Sequence, residues 1–192
     1  MFDSMQAALA FTRAEEGGYS SDARDGGNWT SGTCGKGQMI GSNMGVGAPC
    51  LVEYNARHQL GLSMSPATMK GLSTDLYQSI AVDEYWSLLP CDSLPPGLAI
   101  MVFDYAWNRG NGNSIHELQE ALGVTMDGDY GVRSAAAMRR VSNIPTFIER
   151  LGMVQQQHYR SLLSFPVYGR GWLARTVRRQ TAALDFFTNH SA

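Results

Sequence analysis

The run Leu98-Ala99-Ile100-Met101-Val102-Phe103-Asp104-Tyr105-Ala106-Trp107, apolar nearly all round, constrains the fold of this chain more than any other segment. A surface helix carries one apolar stripe, whereas a helix apolar on every side belongs at the centre of a domain. It falls short of the roughly 18 apolar residues that a membrane span requires. Leu94-Pro95-Pro96 is expected to open the helix, with proline in its first turn, and Gly110 to end it. Such a helix needs amphipathic neighbours to bury it. Periodic apolar patterning predicts them over 3–16, 49–60, 74–88, 113–122, 131–141, 144–163 and 171–188. Asp3 or Ser4 is the expected N-cap of the first, and Ser73 or Thr74 that of the third. Sustained two-residue alternation is absent, so the expected class is mostly α.

One segment breaks the pattern. From 17 to 47 glycine, serine, asparagine and threonine dominate without a helical period, which predicts a glycine-rich lobe with a short β-hairpin around 35–40. A loop of this length inside a compact domain is more often functional than accidental. No low-complexity linker interrupts the chain. Two intimately packed parts are expected, 1–92 and 93–192, forming one compact unit.

The chemistry of interest lies where the first helix meets this lobe. Glu15 and Glu16 sit at the helix C-terminus, where the backbone dipole disfavours a carboxylate, and each repels the other. Both effects favour the protonated acid, and burial against Tyr19 or Trp29 would add to them. A carboxyl held protonated is what glycosidic cleavage needs to donate a proton to the leaving oxygen. Such cleavage also asks for a second acid or a water-positioning group. Asp22, Asp25 and Thr30 follow in the lobe, with Asp25 the candidate partner of Glu16 by spacing.

Other chemistries find less support. A net charge of −2 gives no global basic field for nucleic acid. The three cysteines, Cys34, Cys50 and Cys91, show no CxxC spacing or nearby histidine, and the four histidines are scattered, so neither a metal site nor any other cofactor is expected. His116 and His158 read as surface or satisfied groups on helices. Asp127-Gly128-Asp129-Tyr130-Gly131 lacks a calcium-loop pattern and reads as a tight turn between helices. Arg170, Arg175, Arg178 and Arg179 read as a solvated basic face, with attraction to an anionic envelope as a lesser alternative. Asp104 and Asn108 share one face of the central helix, so they either tie down neighbouring structure or bind sugar groups.

The order of motifs resembles glycoside hydrolase family 108. Glu16-Gly17-Gly18-Tyr19, Asp22, Asp25-Gly26-Gly27 and Ser42-Asn43-Met44-Gly45-Val46 are similar to that family's E-G-G-Y, D-P-G-G and T-N-x-G-I elements. The likeness runs on through Tyr85-Trp86, Asp92-Ser93-Leu94-Pro95, Val102 to Gly110 and Asp127 to Gly131, so that matching elements span 13–135. The proline after Asp25 is missing, and residues 28–41 look like an insertion, which leaves Thr30 and Ser42 as alternative counterparts of the family threonine. The resemblance implies a lysozyme-like helical fold with a peptidoglycan-binding C-terminal half. It further implies an N-acetylmuramidase of the phage endolysin type with Glu16 catalytic. Tyr19, Asp22, Thr30, Ser42, Asn43, Asp104 and Asn108 are the candidate contacts to glycan strands. A lytic transglycosylase and a non-catalytic wall-binding or secretion-assisting protein stay open as alternatives. The N-terminus lacks the positive region of a Sec signal. The expectation is therefore a monomer made in the bacterial cytoplasm that reaches periplasmic peptidoglycan by holin-type release.

Overall fold

The computed structural model describes residues 2–190. Among them it contains helices α1 (Phe2–Glu15), α2 (Ala48–His58), α3 (Pro66–Lys70), α4 (Thr74–Glu84), α5 (Leu98–Arg109), α6 (Asn111–Leu122), α7 (Val132–Met138), α8 (Ile144–Ser161) and α9 (Phe165–His190). Short 3-10 turns occupy Gly26–Asn28, Trp86–Leu88 and Pro90–Ser93. Extended structure is limited, among the described residues, to isolated antiparallel bridges that pair Ser20 with Ser42, Trp29 with Met39 and Asn43 with Val46. The fold is mostly α and lysozyme-like, as the sequence implies. Two compact units divide the chain: Met1–Thr12 with Asp83–Ala192, and Arg13–Val82.

The larger unit is built on α5. All ten residues from Leu98 to Trp107 are buried, as a helix apolar on every side demands. Helices α6, α8 and α9 pack against it, and α8 lies along α9. Pro95 and Pro96 precede α5 rather than opening it. Its N-cap is Gly97, at φ +85°, where a Cβ would collide with the Ala183 carbonyl of α9. Only glycine accepts both that backbone conformation and that approach. The predicted third helix stops at Glu84 instead of 88, because Trp86 turns inward and donates its indole N–H to Asp92 at 3.0 Å. Trp86 and Tyr85 both pack on Phe103. Helix α9 begins six residues earlier than its pattern predicts. Pro166 falls in the first turn, where its missing N–H removes no bond, and Gly169 makes room for the Phe165 ring.

One buried polar network closes this unit. Asp104, fully buried, accepts bonds from Thr12 Oγ1 at 3.0 Å, Arg175 Nη2 at 2.6 Å and Arg179 Nη1 at 2.7 Å. Arg179 also donates to Gln155 Oε1 at 2.8 Å, and Gln155 donates to the Met101 carbonyl. Burial pushes the Asp104 carboxyl up, but the charges and hydrogen bonds of Arg179 and Arg175 outweigh it and hold the group ionised. Arg175 and Arg179 therefore depart from the solvated face expected of them, being 8% and 0% exposed. A second polar pair links α6 to α8: the His158 Nδ1 lies 2.8 Å from Glu117 Oε1, while Glu117 Oε2 is buried without a hydrogen-bond partner. The 127–131 segment is a turn, as read. Gln119 clamps it by donating to Asp127 at 2.6 Å and accepting from the Gly128 N–H.

Candidate active site

Within the unit Arg13–Val82, the last turn of α1 delivers Glu15 and then Glu16, which is the first residue beyond the helix. Both are half-buried. The expected glycine stop works differently from a left-handed cap, because neither Gly17 nor Gly18 has positive φ. A Cβ at either would meet nothing within 4 Å. Neither the backbone nor the packing requires glycine at these two positions.

The lobe beyond is stitched by backbone pairing. Ser20 and Ser42 exchange hydrogen bonds of 2.9 Å, and the Tyr19 hydroxyl donates to the Ile40 carbonyl at 3.2 Å. Gly41 does need to be glycine: at φ +85° its Cβ would fall 2.5 Å from both the Tyr19 ring and the Ser20 carbonyl. Lys70 stacks its ammonium 4.8 Å from the centre of the Tyr19 ring. Asn43 is buried, and its amide donates to the carbonyls of Met69 and Lys70 at 2.9 and 3.2 Å. In place of the short β-hairpin expected around 35–40, a single antiparallel bridge pairs Trp29 with Met39 and closes a loop in which the Thr30 hydroxyl accepts from the Gln38 N–H at 2.9 Å.

The acids of the lobe differ in their surroundings. Asp22 is exposed and forms a two-pronged pair with Arg24 at 2.9 and 2.7 Å, whose hydrogen bonds hold its carboxyl down to about 2. That suits a fixed negative charge, not a proton donor. Asp25 is exposed, and its Oδ1 caps the turn Gly26–Asn28 by accepting from Gly27 N–H at 2.9 Å. Buried Asn28 fixes the same loop by donating to the Asp22 carbonyl and accepting from the N–H groups of Ile40 and Gly41. Tyr19, Asp22, Asp25, Thr30, Ser42 and Asn43 thus belong to one lobe that follows directly on Glu16.

Asp104 and Asn108 lie in the other unit. The sugar-binding reading of Asp104 is corrected: with no exposed surface and three protein donors on its oxygens, it has nothing left to offer a ligand. Asn108 accepts a long bond from the Tyr159 hydroxyl at 3.4 Å. The sequence reading missed a cavity of about 490 Å³ between the end of α6, α7 and the start of α8. Leu122, Val124, Val141 and Phe147 line it, with Arg140 and Arg150 at its sides. No local pattern signals it, since its walls come from three helices. Among the described residues no group of three histidines, cysteines or acids could hold a metal ion.

A solved structure of Brucella abortus SagA is similar to this chain, with a TM-score of 0.80, 25% identity and coverage of 100% of both chains. No curated protein matches the chain significantly. The model of the glycosyl hydrolase 108 family matches residues 9–110, more than half of the sequence and the whole of the lobe that follows Glu16. The chain therefore belongs to the glycosyl hydrolase 108 family, and it is a glycoside hydrolase of peptidoglycan.

Proposed function

We propose that the enzyme is an N-acetylmuramidase of the endolysin type, hydrolysing the β-1,4 bond between N-acetylmuramic acid and N-acetylglucosamine. Glu16 is the general acid, and Asp25 orients the water or stabilises the developing oxocarbenium charge. The observation that carries this reading is the open backbone beside Glu16. Two successive glycines that neither strain nor packing requires leave the main chain bare next to the candidate acid. Glycine in such a place lets another backbone or a ligand approach closely. A polysaccharide lying against Gly17 and Gly18 would bring its glycosidic oxygen to Glu16. Tyr19, Asp22, Thr30, Ser42 and Asn43 supply the surface against which the neighbouring sugars lie, Asn43 by holding the loop in shape.

The C-terminal half serves to hold the wall. Its cavity of about 490 Å³, with a mixed apolar and polar lining that includes Arg140 and Arg150, suits the free carboxylates of peptidoglycan stem peptides. One experiment tests both parts. Glu16→Gln should lower the rate of peptidoglycan clearing at least about 100-fold, while the folded variant still co-sediments with purified peptidoglycan. Near wild-type clearing by this variant would sink the assignment of Glu16. Mass spectrometry of the wild-type products checks the reaction class: reducing ends carry the hydrolase reading, and anhydromuramyl ends would replace it with transglycosylation.

A further inference from the structure

The turn between α8 and α9 presents apolar side chains outward in a way that packing does not explain. Leu163 is 102% exposed, Val167 74% and Tyr168 59%. Single exposed apolar residues are ordinary, but three within six positions form a patch. The turn itself is well built. The N–H groups of Leu162, Phe165, Val167 and Tyr168 all find backbone carbonyls within it. Phe165 folds inward against Gly169. Tyr168 leans on Trp172 at 5.7 Å, and Trp172 in turn stacks on buried Tyr159 at 5.1 Å. The patch is therefore held outward by a firm base.

Charge is the second observation. From Arg150 to Leu184 the chain carries six arginines and neither aspartate nor glutamate. Arg175 and Arg179 are consumed by Asp104 in the interior. Arg160 and Arg170 flank the exposed patch, both on the surface, and no carboxylate pairs with either among the described residues. Aliphatic residues at a rigid tip, an aromatic ring beside them and arginines at the shoulders match the layering of a phospholipid surface: acyl chains, then glycerol, then phosphate. A glycan would instead call for acids and amides around the aromatic ring, and the turn offers only serines. No helix of the described residues is long and apolar enough to cross a membrane, so contact would be with the surface alone.

We propose that the α8–α9 turn anchors the enzyme to anionic phospholipid bilayers, with Leu163, Val167 and Tyr168 entering the headgroup boundary and Arg160 and Arg170 meeting phosphates. This anchor does not depend on the muramidase reading, and Glu16→Gln should bind membranes as the wild type does. The test uses the full chain with sedimented vesicles of phosphatidylglycerol and phosphatidylethanolamine, against vesicles of phosphatidylcholine. Binding should favour the anionic vesicles and weaken with salt. The double variants Leu163→Ser/Val167→Ser and Arg160→Gln/Arg170→Gln should each bind about tenfold more weakly, with clearing of lipid-free peptidoglycan unchanged. Equal binding to both kinds of vesicle, no binding, or full binding by either variant overturns the proposal. So does an apolar double variant that loses self-association or peptidoglycan binding while keeping its vesicle binding, because the patch would then serve a second copy or the glycan.

Discussion

Asp104 is the residue on which the larger unit is most exposed to substitution. Its one carboxylate faces two buried guanidinium groups, so removing it leaves two positive charges with no counter-charge, whereas removing Arg179 still leaves Asp104 paired with Arg175. Asp104→Asn should cost about 3–5 kcal/mol, read as a lowered urea midpoint, and Arg179→Met should lower that midpoint by less. Replacing all three charges by apolar side chains of similar volume should cost less than Asp104→Asn. The sequence announces half of this. An aspartate inside an apolar run must find a partner, and that much is visible. Its partners lie 71 and 75 residues away on a helix whose arginines look like an ordinary surface stripe, so no local pattern connects them. The proposal for Glu16 rests on local features instead, the helix end before it and the two glycines after it.

At the scale of elements, the glycines of the lobe separate into two kinds. Gly41 serves the fold, with positive φ and the Tyr19 ring in its way, and Gly41→Ala should destabilise the unit by about 1–3 kcal/mol. Gly17 and Gly18 serve neither strain nor packing. Gly18→Ala should leave the thermal midpoint within about 2 °C of wild type yet slow peptidoglycan clearing about tenfold. Equal loss of stability in both variants would mean that Gly18 is structural. Regular elements are the more legible part of the sequence. Helix α5 follows from its unbroken apolar run and α8 from its apolar period. The start of α9 does not, because Pro166, Gly169 and Gly171 look like breakers until the Phe165 ring is seen filling the space at Gly169. The short α3, capped by Ser65 accepting from Thr68 N–H, has too few residues to show a period.

For the molecule as a whole, stability should depend on pH through Glu117 and His158. Burial, with the nearby charge of Glu120, pushes Glu117 up to about 7 against the opposing charge of Arg109. Below the ordinary carboxyl range folded and unfolded chains are both protonated there. As pH climbs from 4.5 to about 7 the folded chain keeps a proton that the unfolded chain has released, and stability falls. His158 is pushed down by burial and by Arg109, so its contribution is lost as pH drops below 6.5. The two slopes oppose each other below 6.5, and from there to about 7 the fall due to Glu117 stands alone in the pH profile of thermal unfolding. Glu117→Gln should flatten the fall toward pH 7 and raise stability there by at most about 2–3 kcal/mol, and an unchanged profile would exclude Glu117 as its source. The network at Asp104 sets a further condition, on the order in which the chain can assemble. It joins Thr12 of α1 to Arg179 of α9 through Asp104 of α5. A nascent chain that has emerged only as far as α8 holds an aspartate with no guanidinium to answer it. The larger unit must therefore wait for α9 before it closes, while Arg13–Val82 has all of its own contacts in hand sooner.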